Sequence, residues 1–134
     1  TEVKFLDKDQ KQKKNFETGE PLTIRIYFSS QKRIEKPVIG IGLHKDDGLH
    51  ITGPNTRDSK YPIDFIDGKG YLDYTIKDLP LLSGTYLLTI GLFDSKVSFA
   101  YDFIDKGPSF HVSLTELNQA GVFKFNEVWE LKKQ

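Results

Sequence analysis

Arg25 and Tyr27 sit at alternate positions of one strand-like run, Gly40, Gly42 and His44 of a second, and Thr89, Gly91 and Phe93 of a third. Asp73 joins them from the matching phase of residues 71–75. In each run the complementary phase is apolar: Leu22, Ile24, Ile26 and Phe28; Ile39, Ile41 and Leu43; Tyr86, Leu88, Ile90 and Leu92. Side chains alternate across a strand, so the apolar set faces a core and the polar, aromatic and glycine set faces solvent. A glycine inside a strand weakens it and often marks a place where another group comes close to the backbone. The face so formed is a shallow trough with planar rings and forked donors around it. Sugars suit such a surface: their C–H faces pack on aromatic rings, and their hydroxyls pair with guanidinium, carboxylate and imidazole groups. On this reading Arg25 and His44 bond hydroxyls, with Asp73 as a further candidate, and Tyr27 and Phe93 pack on ring faces. Thr89 trims the site, and Gly40, Gly42 and Gly91 clear room. The same face also fits a covering loop or a partner chain.

Other chemistry finds little support. His44, His50 and His111 match no metal-ligand spacing. Asp46-Asp47-Gly48 reads as a hairpin tip, since the EF-hand loop pattern is absent. There is no G-x-S-x-G elbow for a serine nucleophile. Gly40-Ile41-Gly42 lies inside a strand pattern with no helix after it, so it fails as a dinucleotide loop. A pair of carboxylates meeting only in space would serve glycoside hydrolysis, and this keeps a glycan-processing enzyme as an alternative. No catalytic residue, metal or cofactor is assigned. Trp129 reads as a core or interface anchor rather than a ligand clamp.

The elements that position these residues are strands. Runs expected at residues 3–6, 22–28, 38–44, 49–52, 71–76, 85–94 and 99–104 alternate in hydropathy or pair across turn signals. Phe110, Val112 and Leu114 alternate again, and residues 122–125 and 128–131 close the chain as strands. Residues 7–15 and 30–36 read as polar loops, and residues 57–69 carry only a weak pattern. Residues 79–84 form an apolar loop, and residues 118–121 a turn. Apolar residues at helical spacing are not sustained over three turns. Short strands at regular intervals with one apolar face each imply an all-β antiparallel sandwich, in one domain over residues 1–134.

A chain of 134 residues buries enough surface to fold without disulfides or metal, and it has no cysteine. Lys plus Arg equals Asp plus Glu at 19 each, which argues against nucleic acid as partner. The lysines between residues 8 and 14 read as a solvated loop. No apolar run reaches the roughly 18 residues of a membrane span. A start at Thr1 and the lack of methionine point to a processed chain or, in preference, a piece of a longer protein.

Several motifs occur in one order along the chain. Phe16-Glu17-Thr18-Gly19-Glu20-Pro21-Leu22-Thr23-Ile24 comes first, then Pro37-Val38-Ile39-Gly40-Ile41, Gly48 and Gly53-Pro54-Asn55-Thr56. Leu82-Ser83-Gly84-Thr85-Tyr86 follows, then Phe110-His111-Val112, Gly121-Val122 and Trp129. In this order and spacing the chain resembles the C-terminal carbohydrate-binding domain of Wzt, the ATP-binding subunit of O-antigen polysaccharide ABC transporters. The resemblance implies a jelly-roll-like β-sandwich and a homodimer, one form of which exchanges the C-terminal strand. It implies binding of the non-reducing end of a lipid-linked polysaccharide at the cytoplasmic side of the inner membrane. It also implies an ATPase domain upstream, through which the transporter membrane subunit is reached. The shared Gly19, Asn55, Thr56, Gly84 and Tyr86 read as architectural, so the site residues come from strand phase alone.

Overall fold

The computed structural model of the chain describes residues 1–113 and 119–133. Nine strands follow one another: β1 (Glu2–Leu6), β2 (Asn15–Glu17), β3 (Leu22–Glu35), β4 (Val38–Lys45), β5 (His50–Thr52), β6 (Phe65–Ile76), β7 (Gly84–Phe93), β8 (Ala100–Ile104) and β9 (Ser109–Ser113). They form two sheets. One has three strands in the order β1-β3-β6; the other has six, in the order β2-β9-β7-β4-β5, with β8 also on β7. Among the described residues every strand pair is antiparallel except β2 with β9. The all-β sandwich expected from hydropathy alternation is the fold the chain adopts. Among the described residues no helix is long and apolar enough to cross a membrane.

The apolar phases meet between the sheets. Leu22, Ile24 and Ile26 of β3 face Ile39, Ile41 and Leu43 of β4 and Tyr86, Leu88 and Ile90 of β7 in one buried cluster. Fully burying one such aliphatic side chain contributes about 1.5–3 kcal/mol. At one end Phe110 packs against Phe5, Phe16 and Tyr86, with ring centroids 5.2, 6.0 and 5.6 Å apart. The buried Tyr86 hydroxyl donates to the Leu82 carbonyl at 2.7 Å, so burial leaves no polar group unpaired there. The turn before β3 needs Gly19 at φ +94°. Its Thr18 hydroxyl donates to the Leu81 carbonyl at 2.7 Å. This bond ties the apolar 79–82 loop to the turn.

Three expectations change. Residues 30–35 are not a loop: β3 runs on to Glu35 and pairs through a bulge with Phe65–Gly70, the first half of β6. This ribbon extends past the core, so its hydropathy does not alternate. Arg33 stacks its guanidinium on Phe65 at 3.6 Å there. Residues 122–125 make only a single bridge, Leu81 with Phe123. Residues 128–131 form no strand, and Val128, Trp129 and Leu131 are each 91% exposed, so Trp129 is not a core residue. Leu114 and Asn118 lie outside the described residues.

Candidate functional site

β4 and β7 are neighbours in register, with Gly40 opposite Gly91 and Gly42 opposite Thr89. On the far side of β7, Phe103 of β8 lies opposite Gly91. On the far side of β4, Asn55 bridges Gly40. One row across the sheet therefore reads Asn55, Gly40, Gly91, Phe103. Two glycines lie between an amide and an aromatic ring, on strands about 4.8 Å apart.

This row floors a groove of about 240 Å³. Phe93, Phe103 and Val97 line one side and Asn55 and Arg57 the other, with Thr89 at one end. The expected trough is filled at Gly91, which is buried, and only partly exposed at Gly40 and Gly42, where side chains of Phe93, Asn55, Thr89 and His44 come close. A Cβ on Gly91 would lie 2.3 Å from the Phe93 ring, and one on Gly40 3.5 Å from it. The Phe93 ring thus covers Gly91, where any side chain would collide with it. Phe93 and Phe103 meet edge to face at 6.5 Å, and Phe99 and Tyr101 at 4.7 Å. Phe99, Tyr101 and Phe103 are 54%, 46% and 54% exposed, an aromatic ridge along the outer face of β8.

The polar rim is pinned. The Thr89 hydroxyl accepts from the Lys106 amide at 3.0 Å and reaches Asp105 Oδ1 at 3.4 Å. It therefore holds the 105–107 turn more than it trims a pocket. The opposite rim is held along the free edge of β4. The Ile41 amide donates to the Pro54 carbonyl at 2.9 Å and the Thr56 amide to the Ile39 carbonyl at 3.0 Å. The Ile39 amide donates to the buried Thr56 hydroxyl at 3.1 Å. Asn55 accepts from the Asp58 amide at 2.8 Å and donates to the Asp58 carboxylate at 2.9 Å. These bonds and Arg57 hold that carboxyl below the usual carboxylate range.

His44 faces the same side and stacks on His50 at 4.4 Å and 12°. Its Nδ1 is buried and has no hydrogen-bond partner among the described residues. Desolvation, then the charges of His50 and Lys106, lower its pKa from 6.5. The neutral ring is the favoured form.

The remaining residues of the expected trough lie on the other sheet. Arg25 and Tyr27 belong to β3 and Asp73 to β6, with Arg25 opposite Asp73 and Tyr27 opposite Tyr71. Period-two phase establishes that two residues face outward but not on which sheet, and here the sandwich puts them on opposite outer faces. Arg25 is also engaged within its own sheet. It clamps Asp73 at 2.8 and 2.9 Å, donates to Gln10 Oε1 at 2.8 Å and stacks on Tyr71 at 4.2 Å. The Asp73 bond is the main reason its pKa is raised. Asn55, Arg57 and Phe103 also line this groove, and strand phase does not reach them. Phe103 carried the one usable signal, its alternation with Phe99 and Tyr101; without the strand order nothing put it beside Gly91.

Fold and geometry together define an all-β sandwich whose six-stranded sheet carries a groove between an aromatic ridge and a pinned polar loop. The chain belongs to the Wzt C-terminal domain family, whose model matches residues 1–125. That family forms a domain of the ATP-binding subunit of O-antigen ABC transporters. Among solved structures, the crystal structure of the C-terminal domain of wzt superposes with a TM-score of 0.82 at 15% identity, covering 98% of this chain and 81% of that one. This likeness carries the fold. No curated protein matches the chain.

Proposed function

We propose that the domain is a non-catalytic carbohydrate-binding module that holds the non-reducing end of an O-antigen-type polysaccharide in the Gly40–Gly91 groove before export. The observation that carries this reading is the row Asn55, Gly40, Gly91, Phe103. A sugar ring seated there meets the Gly40 backbone below, the Phe93 ring that covers Gly91 and the Phe103 ring on one side, and the Asn55 amide and Arg57 guanidinium on the other. The C–H face of the sugar packs on these rings, which offer a large apolar area. An open groove leaves much of the ligand wet, so affinity per site is modest.

Family membership supports the rest. The domain follows an ATPase domain in a longer chain, acts at the cytoplasmic side of the inner membrane, and meets the transporter membrane subunit through that ATPase domain. A homodimer is also proposed, with the exposed Phe125, Val128, Trp129 and Leu131 covered by a second copy through exchange of the C-terminal segment. Contiguous exposed apolar residues mark an interaction surface.

Isothermal titration with the O-polysaccharide of the encoding organism tests the groove. Phe103→Ala and Arg57→Ala are each expected to weaken binding, by about 3- to 10-fold for the lost ring. Unchanged affinity in both removes the groove as the site. New reducing ends after incubation would instead favour a glycan-processing enzyme.

A further inference from the structure

A second cavity of about 330 Å³ opens at the flank of the sandwich, between β6 and the 53–61 loop. Its volume is at the low end of the roughly 300–1,000 Å³ of small-molecule sites. The floor is apolar, from Ile39, Ile41 and Leu72, and the rim carries Tyr61, Tyr71 and Tyr74 together with Asp73. The two cavities share Ile41, Pro54 and Asn55 in their linings, so only the 53–56 segment separates them.

We infer that this tyrosine-rimmed cleft is a second sugar subsite, taking a further residue of the same polysaccharide where the glycan passes over the 53–56 segment from the glycine groove. The inference rests on the groove being a glycan site. The cleft offers what a pyranose needs, an apolar floor for its C–H face and fixed polar groups at the rim. Phenol hydroxyls both donate and accept. Tyr86 gives its hydroxyl to Leu82, but those of Tyr61, Tyr71 and Tyr74 have no hydrogen-bond partner among the described residues. Asp73 is an acceptor already set in place, because the Arg25 fork holds both of its oxygens and each keeps a further lone pair. Arg25 also stacks on Tyr71 at 4.2 Å, so one guanidinium positions two rim groups at once. With its carboxylate paired, the rim has no strong charge of either sign, as fits a neutral hexose rather than a phosphate or an ammonium ligand.

Two subsites on one chain make affinity depend on glycan length, because the second contact forms at high effective concentration. The test compares titrations of full-length O-polysaccharide and of its one-repeat fragment. Wild type should bind the polysaccharide at least about tenfold more tightly per chain end than the fragment. Tyr61→Ala, at a position 63% exposed, should remove that advantage while fragment binding stays at the wild-type level. Phe103→Ala should weaken both. In the wild-type protein, amide shifts at Ser59 and Tyr61 should follow addition of the polysaccharide and not of the fragment. If Tyr61→Ala binds both ligands as wild type does and these amides do not move, the second subsite is wrong and the groove stands. If wild type binds neither ligand, the groove reading fails and the cleft falls with it.

Discussion

His44 shows how one ring ties the groove to solution conditions. Its buried Nδ1 and its stacking on His50 favour the neutral form, so its folded pKa lies below 6.5. As pH falls through about 6.5 the unfolded chain takes up a proton that the folded chain resists. The contribution of His44 to stability is therefore fully present above that value. It is lost progressively as pH drops toward the depressed folded pKa. Urea unfolding at about pH 7.5 and about pH 5 should show the lower midpoint at acid pH, and His44→Gln should flatten the difference. An equal difference in both proteins would mean that His44 is not the titrating group. At this scale strand phase was informative for which residues of β4 and β7 share a face. Gly40, Gly42, His44, Thr89, Gly91 and Phe93 do share one face. It was misleading for Arg25, Tyr27 and Asp73, because outward phase is the same on both sheets.

The Gly53–Thr56 segment is the element both cavities depend on. It lies along the free edge of β4 and walls the groove on one side and the cleft on the other. Its anchor is the buried Thr56 hydroxyl, which takes the Ile39 amide at 3.1 Å. Thr56→Val keeps the shape but strands that amide, so denaturant unfolding should show a loss of about 1–3 kcal/mol. A loss within error would mean that water replaces the hydroxyl. Elements with one buried face, such as β4 and β7, were legible because burial enforces period two. The β3–β6 ribbon past Ser30 was not, since its strands bury little beyond Ile66 and its pairing rests on backbone bonds that hydropathy does not record. The C-terminal run was read as strands because residues 122–131 carry strand-type side chains. Within this chain they find one bridge, at Phe123.

The whole molecule leaves an apolar tail uncovered on an otherwise charge-balanced sandwich. A second copy that takes up the tail would bury Trp129, which is the sole tryptophan of the chain and 91% exposed in the single copy. Its fluorescence should shift to the blue as concentration rises through the dimerisation range. A chain ending at residue 124 should sediment as a monomer with its fold intact. An emission that stays at the wavelength of exposed indole at every concentration would count against strand exchange. The sandwich itself was readable from alternation, and the family from motif order. Which two strands flank Gly40 was not, because strand order is a property of long-range pairing.

The groove can be put to proof by glycine amides alone. In a ¹⁵N-labelled domain titrated with the one-repeat glycan fragment, the signals of Gly40, Gly42 and Gly91 should move together and saturably. Those of Gly68 and Gly70, on β6 of the other sheet, should stay in place. Movement at Gly68 and Gly70 with Gly40 and Gly91 unmoved would put the glycan on the wrong face for everything proposed about the groove.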